Sequence, residues 1–155
     1  MPRTDAPERI LVLHGPNLNL FGRREPHIYG SMTLDEINER LRALAAELRV
    51  ELVIVQSNHE GVLVDTFQKH MDDVAGAVIN PAGLTQYSVS LHDCIKAMPF
   101  PVIECHLSNL ATREEWRHHS IISSAVKGTV QGLGWRSYTA ALRTLVEIVR
   151  EKKQS

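Results

Sequence analysis

The stretch RILVLHGPNLNLFGRREPHIYG, residues 9–30, joins a short apolar run to a long polar segment. Four consecutive apolar residues, Ile10–Leu13, are typical of a buried β-strand, and we predict the first strand over Arg9–His14. A strand in a small domain usually turns within a few residues. Here no helical pattern begins before Thr33, so the length of segment 15–32 needs a reason other than chain reversal.

Strand-like and helix-like patterns alternate beyond this segment. The best-marked helix is predicted over Thr33–Leu48, because Thr33-Leu-Asp-Glu36 is a capping box and apolar residues then recur at helical spacing. Further strands are predicted over Val50–Val55, Ala77–Ile79, Pro101–His106 and Gly128–Leu133. Further helices are predicted over Glu60–Met71, Ser88–Met98, Thr112–His118, with Thr112 as its N-cap, and Ser137–Lys152. This alternation predicts an α/β, flavodoxin-like fold: a doubly wound, five-stranded parallel sheet with helices on both faces.

Composition narrows the class of protein. A chain of 155 residues is the size of one domain, and we expect a single domain over 1–155 whose segment 1–8 is flexible. The net charge of −1 lacks the basic excess of nucleic-acid binders, so we predict no nucleic-acid partner. Cys94 and Cys105 show no CxxC spacing and are expected to be free thiols in a reducing compartment. The sequence shows neither a signal-peptide pattern nor a membrane-spanning run, which predicts a cytoplasmic protein without a membrane partner.

The segment after the first strand contains a candidate base. Ligands of parallel α/β sheets bind at the carboxyl ends of the strands, which directs attention to Asn17, Arg24 and Tyr29. A tyrosine by itself is a poor base at neutral pH, but a neighbouring guanidinium favours the phenolate. Arg24 and Tyr29 could therefore form a general base. Solvated arginines and a tyrosine packed on the surface would explain the same residues.

The fourth strand ends on a candidate acid. Glu104 and His106 are two apart on a strand, so their side chains point the same way and could form a carboxylate–imidazole pair. A lone histidine on a strand is more often structural. Residues 107–109 then lead into the predicted Thr112 helix, whose first N–H groups could hold a carboxylate.

Two further groups could read a ligand. Amides and hydroxyls in Asn80–Ser88 suit a polyhydroxylated molecule, although Asn-Pro followed by Gly is also simple turn chemistry. Arg113 and Arg117 lie four apart, on one face of the predicted helix, where they could bind an anion or stay solvated.

The sequence offers no pattern for a metal or a cofactor. HExxH, zinc-type Cys/His spacing, GxGxxG and the P-loop are all absent, so we predict no metal and no cofactor. Several histidines, among them His14, have no partner that can be identified from the sequence. Acid–base chemistry by side chains is the means that remains.

Six stretches together carry a family resemblance. The chain resembles the type II 3-dehydroquinate dehydratases, or type II dehydroquinases, over nearly its whole length, through GPNLNLFGRREPHIYG, TLDEI, INPAGLTQYS, IECHLSN, REEWRHHS and GLGWRSYTAAL. The resemblance implies a flavodoxin-like fold and a homododecamer built as a tetramer of trimers. It implies conversion of 3-dehydroquinate, the small-molecule substrate, to 3-dehydroshikimate and water without metal or cofactor.

The resemblance also implies catalytic roles. Tyr29 would remove the proton at C2, with Arg24 promoting its phenolate, and Asn17 would help position a water that stabilises the enolate. His106, with Glu104 behind it, would protonate the departing C1 hydroxyl. Segment 15–32 would then be an active-site lid.

The implied substrate-binding residues are spread over three segments. Asn80, Ser108 and the backbone at Leu107 and Ser108 would hold the C1 hydroxyl and the carboxylate. Arg117, together with Asp93 of a neighbouring subunit, would read the ring hydroxyls. Arg113 would help to close the loop.

The sequence departs from the family pattern at this substrate-binding region. Thr85-Gln-Tyr-Ser88 stands where the family usually reads T-H-T-S, so Gln86 replaces a histidine that contacts ring hydroxyls. Gln86 keeps a donor and an acceptor but cannot become charged, Tyr87 adds bulk, and His92 stands where the family usually has Arg. Two alternatives therefore stay open: a paralogous dehydratase acting on a related cyclic hydroxy-ketone, and a non-catalytic binding paralogue.

Overall fold

The computed structural model describes residues 6–154. The flexibility expected for segment 1–8 therefore lies, over residues 1–5, outside the described residues. Close to that boundary, the carboxylate of Glu8 accepts hydrogen bonds from the Arg150 guanidinium at 3.3 and 3.4 Å. These bonds tie the start of the described chain to the last helix.

Five parallel strands form one sheet with the order β2-β1-β3-β4-β5. This strand order is the flavodoxin-like one, so the predicted fold class is confirmed. The strands are β1 (Arg9–His14), β2 (Glu51–Gln56), β3 (Gly76–Asn80), β4 (Val102–His106) and β5 (Gly128–Gln131). The helices are α1 (Pro26–Tyr29), α2 (Leu34–Leu48), α3 (Glu60–Lys69), α4 (Val89–Lys96) and α5 (Arg136–Gln154).

Both faces of the sheet are covered. Ile10 and Val12 of β1 pack in a core with α2 and α5, whereas Leu11 and Leu13 pack in a second core with α3 and α4. This split follows from the strand period of two, because successive side chains point to opposite faces. A strand buried on both faces is continuous in apolar residues, which is why the run 10–13 identified it.

The long helix α2 begins as its sequence predicts. Thr33 Oγ1 accepts the Glu36 backbone N–H at 3.2 Å, and the Glu36 carboxylate accepts the Thr33 N–H at 3.5 Å, so both halves of the capping box form. The helix ends at Arg49, which adopts a left-handed conformation with φ of 60°.

The helix predicted over Thr112–His118 is wrong. Two separate 3₁₀ turns, Leu110–Thr112 and Glu115–Arg117, occupy this region, and Asn109 rather than Thr112 is the N-cap of the first. Short polar side chains compete with helical bonding here: the Thr112 hydroxyl donates to the Asn109 carbonyl at 2.7 Å. Arg113, between the two turns, has an extended backbone.

Segment 15–32 is less irregular than its sequence suggests. It contains a 3₁₀ turn, Leu18–Leu20, and the single-turn helix α1. The segment begins at Gly15, where two stretches of backbone lie close together: a Cβ there would be 2.6 Å from the Pro81 carbonyl oxygen. The segment therefore leaves the sheet directly beside the end of β3.

Within residues 6–154, no helix is both long and apolar enough to cross a bilayer. The same residues contain no group of three or more His, Cys, Asp or Glu side chains arranged to hold a metal ion.

Candidate active site

A cavity of about 520 Å³ opens where β1, β3 and β4 end. Its volume is in the range of small-molecule sites, and its place is the one that parallel sheets use for ligands. All but two of the predicted site residues line it: Asn17, Arg24, Tyr29, Asn80, Gln86, His106, Leu107, Ser108, Arg113 and Arg117. The cavity has two contrasting sides, which we call the loop wall (Arg24, Tyr29 and Arg113) and the sheet wall (Asn80 and His106, with Glu104 behind His106).

The loop wall is built around the Tyr29 hydroxyl. Arg24 Nη2 donates to it at 3.2 Å and Arg113 Nη2 at 3.0 Å. The Arg24 guanidinium also lies 4.5 Å from the centroid of the Tyr29 ring. Tyr29 is the last residue of α1, and its ring packs against Phe21 with centroids 5.7 Å apart. Two guanidinium groups are thus directed at one phenol oxygen.

The sheet wall holds a buried carboxylate–imidazole pair. Glu104 is fully buried, and its Oε2 pairs with His106 Nε2 at the end of β4. Its second oxygen, Oε1, accepts a hydrogen bond from the Ser123 hydroxyl at 2.9 Å. Both carboxylate oxygens are thus occupied, which fixes the orientation of the His106 ring.

Arg113 joins the loop wall to the end of the sheet. Its Nη2 contacts Tyr29, whereas its Nη1 donates to the Ser108 hydroxyl at 3.0 Å. Arg117 does not share this role, because its guanidinium pairs with Glu114. The two arginines therefore do not form the single helix face that their spacing predicted.

Gln86 carries an unusual acceptor. Its Nε2 donates to the Arg117 carbonyl at 3.3 Å, a contact that orients the amide because a carbonyl can only accept. Its Oε1 is buried and has no hydrogen-bond partner among the described residues. A buried polar atom without a partner is costly, so this oxygen is suited to a hydroxyl donor from a ligand.

Comparison with known families matches residues 8–146 to Dehydroquinase class II. The chain belongs to the class II dehydroquinase family. It is 51% identical over 138 residues to a 3-dehydroquinate dehydratase of Roseiflexus castenholzii, covering 89% of this chain and 88% of the relative. It is 45% identical over 143 residues to one of Halothermothrix orenii, covering 92% and 97%.

Solved structures agree with this assignment. A type II dehydroquinase from Propionibacterium acnes superimposes with a TM-score of 0.88 at 40% identity, covering 93% of this chain and 99% of that one. A second, from Butyrivibrio crossotus, gives a TM-score of 0.88 at 35% identity, covering 90% and 97%.

Two predicted residues of this dehydroquinase do not line the cavity. Glu104 lies behind His106, as expected of an orienting carboxylate. Asp93, on α4, is not among the cavity residues, and its side chain is 73% exposed and bonded to His92 Nδ1 at 3.0 Å. Within one subunit, therefore, Asp93 is not part of the site.

The N–H groups expected to bind a carboxylate near Thr112 are occupied by the protein itself. The Leu110 N–H donates to Gln131 Oε1 at 2.8 Å and the Ala111 N–H donates to Asn109 Oδ1 at 3.2 Å. These two N–H groups are therefore not available to a carboxylate, whereas the expectation for the backbone at Leu107 and Ser108 stays a prediction.

Sequence reasoning missed several residues around the site. His14, for which it found no partner, is fully buried and contacts both Tyr138 and Asn38 at 2.8 Å. The position of His14 at the end of β1 was a usable signal, but its partners are distant in sequence. Ser123, which bonds Glu104, lies in an irregular segment and gave no signal.

A neighbouring cleft of about 670 Å³ lies on the other side of Tyr29. It shares Tyr29, Leu107, Ser108 and Arg113 with the cavity, but neither Arg24 nor His106 lines it. It therefore cannot bring a ligand between the two walls.

Proposed function

We propose that this protein dehydrates 3-dehydroquinate to 3-dehydroshikimate and water through an enolate intermediate. One observation carries the proposal: Tyr29, contacted by two guanidiniums, and His106, paired with a buried carboxylate, line the same cavity. Base and acid on separate walls are what an elimination needs. The family's named relatives are 3-dehydroquinate dehydratases, which supplies the substrate class.

The first step is removal of a proton by Tyr29. The C3 ketone of the substrate acidifies the hydrogen at C2, and a phenolate is a sufficient base for it. Arg24 and Arg113 stabilise that phenolate. The electrons of the broken C–H bond move onto the ketone oxygen, and a water positioned by Asn17 stabilises the enolate.

The second step is departure of the C1 hydroxyl. Hydroxide is a poor leaving group, so His106 donates a proton to the C1 oxygen. The enolate electrons re-form the C3 ketone and make the C1–C2 double bond, the C–O bond breaks with its electron pair on oxygen, and water leaves. Glu104 holds the imidazole in one orientation. Asn80, Leu107 and Ser108 hold the C1 hydroxyl and the carboxylate.

Segment 15–32 acts in this proposal as a lid. It carries Arg24 and Tyr29, whereas the acid lies on the sheet, so the complete site forms only when the segment lies over the cavity. Arg113 helps to close it, because this side chain already bridges Tyr29 and Ser108. Closure excludes water while the enolate exists, and opening releases the product.

The proposal extends to self-association as a homododecamer built from trimers. Three large apolar side chains, Tyr87, Val89 and Trp116, are each more than half exposed near the cavity mouth. Asp93, on the same helix as Val89, lies outside its own subunit's cavity and is available to that of a neighbour. The proposed compartment is the cytoplasm, and the free thiols of Cys94 and Cys105 support it.

The direct test is a spectroscopic assay with purified protein. Dehydration creates a carbon–carbon double bond conjugated to the ketone, and the ultraviolet absorbance of this enone reports turnover. We expect absorbance to rise with the parent protein and not with Tyr29→Phe, which keeps the ring but removes the reacting oxygen. Absence of enone at any practical substrate concentration would refute the proposal.

A second candidate function rests on Gln86. The unpartnered Oε1 of Gln86 accepts a hydrogen bond but carries no charge, and it stands where the family usually has a histidine. A paralogous dehydratase acting on a related cyclic hydroxy-ketone would use the same two walls with different hydroxyl positions. Comparison of kcat/KM over a panel of such ketones decides between the two substrates. Turnover of none of them would favour a non-catalytic binding paralogue.

A further inference from the structure

Two fully buried side chains behind the cavity, His14 and Tyr138, have no part in the proposed reaction. His14 and Asn80 are register partners at the ends of β1 and β3, so their side chains lie side by side on one face of the sheet. His14 Nδ1 hydrogen-bonds the Tyr138 hydroxyl of α5, and His14 Nε2 bonds Asn38 Oδ1 of α2. Tyr138 is fully buried, and the Asn80 side chain lies close enough to influence its hydroxyl.

Burial decides the protonation of both rings. It lowers the pKa of His14 to about 4, against an opposing rise from the hydrogen bond to Asn38, so the imidazole is neutral near pH 7. Burial raises the pKa of Tyr138 well above its ordinary value; Cys105 adds to the rise and the hydrogen bond with Asn80 opposes it. The phenol therefore keeps its proton, and each ring has one hydrogen to donate.

These hydrogens can be arranged in one way. The Asn38 carbonyl oxygen only accepts, so the His14 hydrogen is on Nε2 and Nδ1 is an acceptor. The Tyr138 hydroxyl must then donate to Nδ1, which leaves its oxygen to accept from the Asn80 amide.

The Asn80 side-chain oxygen has a hydrogen-bond partner of its own. Asn80 Oδ1 accepts the backbone N–H of Ala82 at 3.1 Å. With its oxygen bonded to this turn, the amide has its nitrogen left for Tyr138 and for the cavity. One hydrogen of Nδ2 remains for the cavity that Asn80 lines.

We propose that His14 and Tyr138 are positioning residues that hold the Asn80 amide in one orientation, with an N–H directed at the oxygen atoms of the bound ligand. This inference rests on the proposed function, in which Asn80 holds the C1 hydroxyl and carboxylate. Both groups accept hydrogen bonds. A flipped amide would present a carbonyl oxygen to the carboxylate and repel it.

A double-mutant cycle tests the coupling. Tyr138→Phe keeps the ring and removes only the oxygen that joins His14 to Asn80. We expect it to lower kcat/KM about tenfold or more, mainly through a higher KM, because a hydrogen bond to a charged group is lost. In an Asn80→Ala background the same substitution is expected to change kcat/KM less than about twofold, since no amide remains to be oriented.

A structural role would give a different result. If Tyr138→Phe lowers kcat/KM by the same factor in both backgrounds, or leaves the parent's kcat/KM unchanged, the positioning role is wrong. His70→Asn is the matched control, because it removes a buried imidazole bonded to Asp73 at 2.9 Å, at the end of α3. This variant is expected to lose thermal stability with kcat/KM retained. Should Tyr138→Phe not fold, Asn38→Ala replaces it in the same cycle.

Binding of quinate separates this inference from the proposed function. Quinate keeps the carboxylate and ring hydroxyls but has no ketone, so it binds without reacting, and calorimetry gives its Kd for the parent, both single variants and the double variant. A coupling in Kd with no turnover by the parent would refute only the proposed function. Turnover without coupling would refute only the positioning role. If the parent protein neither turns over 3-dehydroquinate nor binds quinate, both proposals are refuted.

Discussion

The two walls of the cavity are held in place by different means. In the loop wall Arg24 and Tyr29 are partly buried, and the Arg113 side chain is 7% exposed. These side chains contact one another through hydrogen bonds and cation–ring contacts. The sheet wall consists of buried residues at strand ends, and Glu104 is fully enclosed. The loop wall can therefore open without unfolding the core, whereas the sheet wall cannot move without the sheet. In the proposed reaction the base lies on one wall and the acid on the other, so closure is part of that proposal.

Removing the reacting group from either wall should give the largest effect. Tyr29→Phe and His106→Ala are each expected to lower kcat by about 10²–10⁴-fold, the usual contribution of a general base or acid. Thermal unfolding should separate the walls. Tyr29→Phe leaves the core intact, whereas His106→Ala leaves the buried Glu104 carboxylate without its partner and lowers Tm. Equal losses of Tm in the two variants would contradict the contrast between the walls.

Acid should lower the free energy of unfolding through protonation of His14. Its pKa is about 4 in the folded protein and about 6.5 when unfolded, so the unfolded chain binds more protons between these values. The free energy of unfolding should fall by up to about 3 kcal/mol as pH drops from 6.5 to 4. Urea unfolding at fixed protein concentration measures this slope. His14→Asn should flatten it.

Carboxylates do not account for a fall in the free energy of unfolding between pH 6.5 and 5. The pKa values of Glu8, Asp73 and Glu114 are lowered from 4.5, 3.8 and 4.5, so their contributions are lost below those values. A slope between pH 5 and 6.5 that persists in His14→Asn would show that another group titrates there.

Replacing the two arginines of the loop wall should lower kcat/KM by different factors. Lys keeps the charge but loses the forked guanidinium, so Arg24→Lys is expected to lower kcat/KM about tenfold. Arg113→Lys should cost more, towards about a hundredfold, because Arg113 also holds Ser108. Arg40→Lys is the control, since Arg40 lies 5.2 Å from the Trp135 ring centroid and does not line the cavity. A larger loss for Arg24→Lys would reverse the assigned roles.

Two glycines offer the smallest and most local test. A Cβ at Gly15 would lie 2.6 Å from the Pro81 carbonyl, so Gly15→Ala must push the ends of β1 and β3 apart, and we expect a loss of about 1–2 kcal/mol. Gly61 lies in α3 with open space around its Cα, so Gly61→Ala should stabilise by about 0.5–1 kcal/mol. Chemical denaturation measures both. Stabilisation by Gly15→Ala would show that this approach of the strands is looser than the structure indicates.

Much of the fold could be predicted because its signals are local. The bounds of β1 agree with the prediction, the capping box of α2 forms, and the alternation of elements identified the sheet. The helix predicted over Thr112–His118 failed because side chains of Asn109 and Thr112 bond the backbone in ways that periodicity does not register. The residues that line the cavity were named largely through the family resemblance and the strand-end rule, and their roles stay predictions until the variants are measured.

By itself the sequence determined the fold class and the pairing of Glu104 with His106. Both depend on short-range periodicity: apolar runs mark strands, and residues two apart on a strand share a face. Only the tertiary structure decided that Arg113 rather than Arg117 reaches Tyr29, across 84 positions of sequence, and that His14 meets Tyr138 across 124. Such contacts depend on how helices and turns pack against the sheet, and no local pattern in the chain encodes that packing.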